Sequence, residues 1–150
     1  MNAPLTTWRC DVCGKLIEKP DDGYVIWIDS SGGIPHDFKI IHQGRCDLNG
    51  NYSCSSALSD FLGADGSAKL LAMLSYGRLH TIQAGSSAGK PTPPDLDEFV
   101  DLFRRLQTPY YEEARVKFAL QSVLDDFADH NEVSPYTEEH LRAIAERPSE

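Results

Sequence analysis

The first half of the chain alternates short apolar runs with turn-forming residues. Residues 23–29 (GYVIWID) are aromatic and β-branched, and residues 37–42 (DFKIIH) begin with an alternation of polar and apolar positions. Residues 30–35 (SSGGIP) lie between them and contain Gly-Gly and Pro, which favour a turn. The pattern predicts a β-hairpin. Five apolar side chains are expected to form its small core: Trp8, Leu16, Val25, Trp27 and Phe38.

Helical spacing of apolar residues follows the predicted hairpin. Residues 56–62 and 67–74 are each predicted to form a short helix, because apolar side chains share one face and a glycine follows, Gly63 and Gly77 respectively. The leucines at positions 70, 71 and 74 are expected on the buried face of the second helix. Residues 83–94 (QAGSSAGKPTPP) are rich in Gly, Ser and Pro and are predicted to form a linker or mobile loop.

A third helix is predicted to begin near Asp95. Glu98 follows three residues later, which is the spacing of a capping box with Asp as the cap. Four apolar residues then recur at helical spacing and are expected to face the core: Leu96, Phe99, Val100 and Phe103.

Two more helices are predicted from their capping residues. One is expected to open with Thr108 as N-cap and Pro109 at its first position, and to run to Phe127. The other is expected to open with Thr137 as N-cap and to end before Pro148.

The combined pattern predicts an α+β protein with an N-terminal β-hairpin followed by a small helical region. Residues 1–82 are expected to hold the hairpin with short helices, residues 83–94 to form the linker, and residues 95–150 to form an acidic helical region.

Charge is distributed unevenly along the 150 residues, whose formal net charge is -9. Residues 1–90 carry 8 Lys and Arg against 9 Asp and Glu, whereas residues 91–150 carry 6 against 14. This balance argues against a protein that coats nucleic acid through bulk charge. No apolar run reaches the roughly 18–20 residues that span a bilayer, and the first ten residues, MNAPLTTWRC, do not resemble a signal peptide. We therefore expect an acidic, soluble, cytoplasmic protein without a membrane partner.

Two pairs of potential metal ligands provide the main chemical signal. Cys10 and Cys13 form a Cys-x-x-Cys pair followed by Gly14, a spacing that directs two thiolates at one ion while the glycine permits the tight turn. His42 and Cys46 form a second pair in the motif HQGRC, at the end of an apolar run. Because cytosolic thiols stay reduced, we expect these four side chains to bind one structural Zn²⁺ ion rather than to form disulfides.

The sequence leaves alternatives for the fourth ligand. Cys54 could replace His42 and give an all-cysteine site. We favour His42, because it closes a strand-like run and forms a compact pair with Cys46, whereas Cys54 follows a polar loop. A redox role for the Cys-x-x-Cys pair is a further alternative. Redox pairs usually lie at a helix N-terminus after a buried strand, and this pair is followed instead by Lys-Leu-Ile.

The motifs CDVCG and HQGRC, within residues 8–62, resemble those of small zinc-ribbon and treble-clef-like zinc fingers, and LIM fingers have similar Cys-x-x-Cys-Gly openings. The resemblance implies a structural zinc, a β-hairpin between the two ligand pairs and often a helix after the second pair. The second pair departs from the class, because H-x₃-C stands where C-x₂-C is commoner.

Catalytic motifs are weak in this sequence. Residues 85–90 (GSSAGK) are similar to a phosphate-binding loop, but three residues rather than four separate the glycines, and Pro91 replaces the Ser or Thr that would bind magnesium. His36 and Asp37 could serve a metal-dependent nuclease, although the helix predicted at 56–62 offers no further His or Asn.

A metal site closed by four protein ligands leaves no open position for a reacting water. We therefore expect a non-catalytic, zinc-stabilised protein-interaction or regulatory module with a protein partner. Two alternatives are a metal-dependent nuclease and a nucleic-acid-binding finger. The finger would use four basic residues: Arg9, Lys15, Lys39 and Arg45.

Overall fold

The computed structural model describes residues 2–30, 32–47, 52–84 and 92–149. Antiparallel strands precede the helices in this part of the chain, which confirms the predicted α+β class. The strands are β1 (Trp8–Arg9), β2 (Leu16–Ile17), β3 (Gly23–Ser30), β4 (Ile34–His42) and β5 (Cys54–Ala57). The α-helices are α1 (Gly63–Ala72), α2 (Arg78–Ala84), α3 (Leu96–Gln107), α4 (Tyr111–Arg115), α5 (Gln121–Asp126) and α6 (Glu138–Ala145).

The predicted hairpin is formed by β3 and β4. β3 is the central strand of a three-stranded antiparallel sheet in the order β4–β3–β5, and β1 pairs with β2 in a separate ribbon. β4 begins earlier than predicted, because Ile34 and Pro35 belong to the strand rather than to the turn. Proline is accommodated there since β4 is an edge strand, where a residue without an N–H leaves fewer ladder bonds unmade.

A β-bulge interrupts β4 opposite Trp27. Two residues of β4, Asp37 and Phe38, lie opposite that single residue of β3, and Asp37 adopts a φ of 55°. The backbone N–H of Phe38 donates to Oε1 of Glu98 at 2.6 Å. The bulge therefore connects the sheet to the first turn of α3.

Residues 56–62 form the predicted short helix only in part. β5 pairs with β3, with Cys54 opposite Trp27, and a 3-10 helix covers Leu58–Phe61. The open edge of β3 offers hydrogen-bond partners to the backbone of β5, and this tertiary pairing overrides a weak local preference for helix. The 3-10 helix ends at Phe61 with Leu62 as its C-cap, and Gly63, with a φ of 66°, begins α1, which therefore starts earlier than the predicted residue 67.

The start of α3 is confirmed, whereas its buried face differs from the prediction. The side chain of Asp95 accepts a hydrogen bond from the backbone N–H of Glu98 at 3.1 Å. Leu96 is 59% exposed, so it does not contribute to the core. The buried apolar residues of α3 are Phe99, Leu102 and Leu106.

The helix predicted from residue 108 to 127 is broken into α4 and α5. Thr108 closes α3 instead of opening a new helix, and its N–H donates to the carbonyl of Arg104 at 2.9 Å. Tyr110 then adopts a φ of 66°, so α4 begins only at Tyr111. The start of α6 is confirmed, with the side chain of Thr137 accepting a hydrogen bond from the next turn.

Two apolar clusters are present in the described residues. The first contains side chains from the strands, from the segment around α1 and from α3, including Trp8, Ile17, Val25, Ile40, Leu58, Phe61, Leu70, Phe99, Leu102 and Leu106. The second joins α4, α5 and α6 through Tyr111, Ala114, Val123, Leu141, Ile144 and Ala145. α3 therefore packs with the strands, although it follows the predicted linker.

Three details of the predicted core and linker differ. Leu16 is 43% exposed and Ile17 is buried in its place, because successive residues of a strand point to opposite faces. Leu71 is likewise exposed, while Leu70 is buried. Residues 83 and 84 end α2, residues 85–91 lie outside the described residues, and the predicted division of the chain into domains stays a prediction.

Candidate metal centre

The turn of the Cys-x-x-Cys motif joins β1 to β2 and is closed by backbone hydrogen bonds. The N–H of Gly14 donates to the carbonyl of Cys10 at 3.0 Å, and the N–H of Cys10 donates to the carbonyl of Lys15 at 2.9 Å. Gly14 has a φ of 75°, which glycine adopts without steric strain. This tight geometry brings the sulfurs of Cys10 and Cys13 within 4.8 Å of each other.

Asp11 fixes this turn against β4. Its backbone N–H donates to the carbonyl of Ile40 at 2.8 Å, and its Oδ2 accepts a hydrogen bond from the N–H of Ile40 at 2.7 Å. His42 is two residues further along the same strand. The paired hydrogen bonds therefore place the first ligand pair beside the start of the second.

The second pair spans the end of β4 and the turn that follows it. His42 is the last residue of the strand, and Gly44 lies in the turn with a φ of 83° before Cys46. The N–H of Gln43 donates to the carbonyl of Asp22 at 2.8 Å, which anchors the start of this turn. His42 and Cys46 are both buried.

Four potential ligand atoms converge at this point. The sulfurs of Cys10, Cys13 and Cys46 and a ring nitrogen of His42 all lie within 4.8 Å of one another. Nδ1 of His42 is 3.4 Å from the sulfur of Cys13 and 3.7 Å from that of Cys46. Zinc bonds of about 2.3 Å to sulfur and about 2.0–2.1 Å to nitrogen require an N–S separation of about 3.6 Å in a tetrahedron. The donor set thus fits a tetrahedral zinc ion.

The imidazole of His42 is oriented by a hydrogen bond on its far side. Nδ1 faces the sulfurs, while Nε2 lies 3.0 Å from the carbonyl oxygen of Leu16. A ring that binds metal through Nδ1 carries its proton on Nε2 and donates it to such a carbonyl, which fixes the tautomer. Nη2 of Arg45 also lies 2.8 Å from Nε2, but two donors cannot bond to each other, so the carbonyl is the partner compatible with metal binding.

The close packing of the cluster shifts the pKa values of its thiols in opposite directions. Burial disfavours the Cys10 thiolate, but hydrogen bonds from the backbone of Cys13, Val12 and His42 outweigh that effect and lower the pKa of Cys10 to about 6. Burial, together with the neighbouring Cys10 and Cys13, raises the pKa of Cys46 to about 11. Three thiolates therefore repel one another in this space unless a cation compensates their charge.

Cys54 lies outside this cluster. It is at the start of β5, and its thiol donates a hydrogen bond to Oδ2 of Asp29 at 3.2 Å. Burial and the neighbouring Asp29 raise its pKa. Of the two candidates for the fourth ligand, the structure therefore places His42, and not Cys54, with the other three residues.

A buried ion network links the Cys-x-x-Cys turn to the helices. Nε of Arg105 on α3 donates to Oε2 of Glu112 at 2.7 Å, and Nη2 donates to Oε1 at 2.8 Å. Nη1 donates to Oδ2 of Asp11 at 2.7 Å, and Nη2 also donates to the carbonyl of Arg9 at 3.0 Å. We refer to Arg105, Glu112 and Asp11 with these bonds as the Arg105 network.

Within the Arg105 network, the side chains of Arg105 and Glu112 are nearly enclosed, at 4% and 6% exposed, whereas that of Asp11 is 23% exposed. Burial alone would lower the pKa of Arg105, but Glu112 and Asp11 raise it. Oε1 of Glu112 also accepts the N–H of Arg9 at 2.9 Å, and Nε1 of Trp8 donates to the carbonyl of Arg105 at 2.9 Å. Hydrogen bonds thereby connect strand β1 to both α3 and α4.

Sequence reasoning missed this network. The available signal was Arg105 itself, a charged residue between Leu102 and Leu106 on the apolar face of α3. A charge in such a position requires a buried partner. Which of the many acidic residues provides it is decided by the fold.

The other candidate residues do not join the metal cluster. Nδ1 of His36 contacts Oδ2 of Asp37 at 3.1 Å; Asp37 belongs to the β-bulge, and His36 is paired with Ile28. Of the four basic residues considered for nucleic acid, Arg9 donates to the carbonyl of Gly14 at 2.6 Å. The residues similar to a phosphate-binding loop, 85–90, lie outside the described residues.

None of the helices within the described ranges is long and apolar enough to cross a membrane. Comparisons of the chain with protein-family models, with curated proteins and with solved structures find no match.

Proposed function

We propose that Cys10, Cys13, His42 and Cys46 bind one Zn²⁺ ion with a structural role, in a module that serves protein interaction rather than catalysis. The observation that carries the proposal is the convergence of the four donor atoms within 4.8 Å, with N–S separations that match a zinc tetrahedron. The orienting hydrogen bond on Nε2 of His42 supports the same interpretation.

The composition of the donor set supports a structural role. Three thiolates and one imidazole supply all four positions of a tetrahedral ion, so none is left for a water or a substrate. The ion would connect the β1–β2 turn with the end of β4. Its binding free energy would then contribute to folding, as it does in small zinc domains.

Elemental analysis of the protein purified without chelator tests this proposal, with Cys13→Ser and Cys54→Ser as a matched pair. Both variants exchange one thiol for a hydroxyl, but only Cys13 belongs to the cluster. We expect one zinc ion per chain in the wild type and in Cys54→Ser, and loss of tight zinc binding in Cys13→Ser. Full zinc content in Cys13→Ser, or its loss in Cys54→Ser, would contradict the ligand assignment.

Cobalt substitution provides a second measurement that does not depend on the purification history. Tetrahedral Co²⁺ bound by thiolates gives strong visible absorption and sulfur-to-metal charge-transfer bands. We expect these bands in the wild type and in Cys54→Ser, and a weakened charge-transfer band in Cys13→Ser. A spectrum typical of octahedral Co²⁺ would contradict the proposed donor set.

The two alternatives from the sequence predict different results. A nucleic-acid-binding finger would shift DNA or RNA in a gel at low salt and lose affinity steeply as salt rises. A nuclease would lose cleavage in His36→Ala and Asp37→Ala. Either result would replace protein interaction as the function while leaving the zinc assignment intact.

A further inference from the structure

An apolar pocket opens on the surface of the second apolar cluster, between α5, the 3-10 helix Ser134–Tyr136 and α6. It has a volume of about 170 Å³. Its lining includes Val123, Leu124, Phe127, His130, Tyr136 and Ile144. We call it the Phe127 pocket.

The size of the Phe127 pocket suits one apolar side chain. An apolar cavity of about 150 Å³ is large enough to bind benzene, and this pocket is slightly larger. Leu124 lies at its rim and is 52% exposed, while Val123 and Ile144 are buried beneath. The pocket thus offers a phenyl or isobutyl group a largely apolar surrounding.

An acidic depression adjoins the Phe127 pocket and shares Phe127 and His130 with it. Three aspartates line this depression: Asp125, Asp126 and Asp129. Asp126 is paired with Arg147, and Asp125 accepts a hydrogen bond from the uncharged Gln121. Within the described residues, neither Asp125 nor Asp129 forms an ion pair with a Lys or Arg side chain, and the other titratable groups that line the depression are His130 and His140.

The C-terminal part of the chain, to which the pocket belongs, also carries an excess of negative charge. Residues 91–150 carry 6 Lys and Arg against 14 Asp and Glu. An incoming basic segment is attracted to such a surface, whereas an acidic one is repelled. A second copy of this chain, with its net charge of -9, approaches against that repulsion.

We propose that the Phe127 pocket and the adjoining aspartates bind a basic segment of a partner protein. One Phe or Leu side chain of the partner occupies the pocket, and a neighbouring Lys or Arg pairs with Asp125 and Asp129. This proposal rests on the proposed function and names the chemistry of the partner. The apolar anchor supplies most of the affinity, while the charges favour association and select against acidic segments.

Selection from a displayed library of random peptides on the immobilised full-length protein identifies the preferred sequence. We expect enrichment of Phe or Leu beside Lys or Arg. Enrichment of acidic or uncharged sequences, or no enrichment over a blank surface, would overturn the proposal. The enriched peptide is then synthesised, labelled and used to measure affinity.

A pair of leucine variants locates the binding surface. Leu124→Glu places a charge at the rim of the Phe127 pocket, whereas Leu79→Glu makes the same change on α2, where Leu79 is 73% exposed. We expect Leu124→Glu to weaken peptide binding at least about tenfold and Leu79→Glu to leave it unchanged. Equal affinity in wild type and Leu124→Glu would refute this location.

A charge-reversal variant tests the role of the aspartates. We expect Asp129→Lys to weaken binding several-fold at low salt, with a smaller effect at high salt because the interaction is screened. No change at low salt would contradict the proposed pairing. Zinc content is measured for each variant. If peptide binding is unchanged in a variant that retains full zinc, the result counts against this surface alone and not against the metal site.

Sedimentation velocity tests whether a second copy of the chain, rather than a partner protein, binds the Phe127 pocket. The exposed Leu79 and Ile82 of α2, next to Arg78, could enter the Phe127 pocket of another molecule. We expect a monomer at the concentrations of the binding assay. A dimer that both Leu79→Glu and Leu124→Glu dissociate would contradict the proposed basic partner and identify self-association instead.

Discussion

Asp11, between the two cysteines of the first ligand pair, accepts a hydrogen bond of 2.7 Å from Arg105, which lies 94 residues later on α3. The same Oδ2 accepts a hydrogen bond from the N–H of Ile40. This single carboxylate therefore links the Cys-x-x-Cys turn to both β4 and α3. Through this residue, the position of the proposed zinc ligands depends on the packing of a distant helix.

Loss of Arg105 should destabilise the fold strongly. Arg105→Met leaves the carboxylates of Glu112 and Asp11 without their cation, and removal of one member of a buried ion pair costs about 3–5 kcal/mol. Arg105→Lys should rescue little of this loss, because an ammonium group cannot bond both oxygens of Glu112 and also reach Asp11. Chemical unfolding of the wild type, Arg105→Met and Arg105→Lys, each with the same zinc content, measures the differences in free energy of unfolding.

The double variant Arg105→Met/Glu112→Met serves as the control for that prediction. It removes both buried charges and should be more stable than Arg105→Met alone. If the single and double variants unfold at the same denaturant concentration, the charge of Glu112 is not what destabilises Arg105→Met.

Removal of zinc should loosen the contact between β1 and α3. Trp8 is fully buried and its Nε1 donates to the carbonyl of Arg105, so its fluorescence reports on that contact. In Trp27→Phe, where Trp8 is the remaining tryptophan, we expect chelation to shift the emission to longer wavelength and re-addition of zinc to reverse the shift. An emission spectrum that is unchanged after complete zinc removal would contradict this coupling.

The adjacent residues Glu112 and Glu113 should respond in opposite directions to the same substitution. Both carboxylate oxygens of Glu113 are buried without a hydrogen-bond partner among the described residues, and burial, with Glu112 nearby, raises the pKa of Glu113. Glu113→Gln should raise the free energy of unfolding at pH 7 by less than about 1 kcal/mol. Glu112→Gln should lower it by about 2–3 kcal/mol, because Arg105 loses its charged partner.

The effect of Glu113 should also depend on pH. The pKa of Glu113 is raised in the folded state above its unfolded value near 4.5. At pH values below the unfolded pKa, Glu113 is protonated in both states and its burial does not lower the free energy of unfolding. As pH rises through the folded pKa, the wild type loses stability. The advantage of Glu113→Gln should thus vanish toward pH 4 and grow toward neutrality. A constant difference between pH 4 and pH 7, measured by urea unfolding, would exclude this explanation.

Gly66 in α1 should tolerate no side chain. A Cβ at this position would lie 2.0 Å from the carbonyl carbon of Phe61 and 2.2 Å from its oxygen, and these backbone atoms cannot move aside cheaply. We expect Gly66→Ala to cost about 3 kcal/mol or more in spite of the better helix propensity of alanine. Ser67→Ala, the next residue in the same helix, should change stability by less than about 0.5 kcal/mol; a similar thermal shift in both variants would refute the steric argument.

The amino-acid sequence alone determined the elements that depend on interactions between residues a few positions apart. The β3–β4 hairpin, the N-cap Asp95 of α3 and the N-cap Thr137 of α6 all follow from short-range hydrogen bonding and alternation. The spacing of the cysteines and His42 likewise predicted the cluster that the structure brings together. The hairpin and the two caps depend on partners that are close in sequence. In the cluster, a tight turn constrains each ligand pair, and the hydrogen bonds between Asp11 and Ile40 bring the two pairs together.

Only the tertiary structure decided the features that depend on distant partners. Within residues 56–62, predicted to form one short helix, residues 56 and 57 extend the sheet because β3 offers an open edge, and only Leu58–Phe61 form a 3-10 helix. Ile17 rather than Leu16 enters the core, since both are apolar and only the packing of the ribbon selects the inward face. The pairing of Arg105 with Asp11 and Glu112 arises for the same reason: sequence shows that a buried charge needs a partner, and the three-dimensional fold determines which carboxylate can reach it.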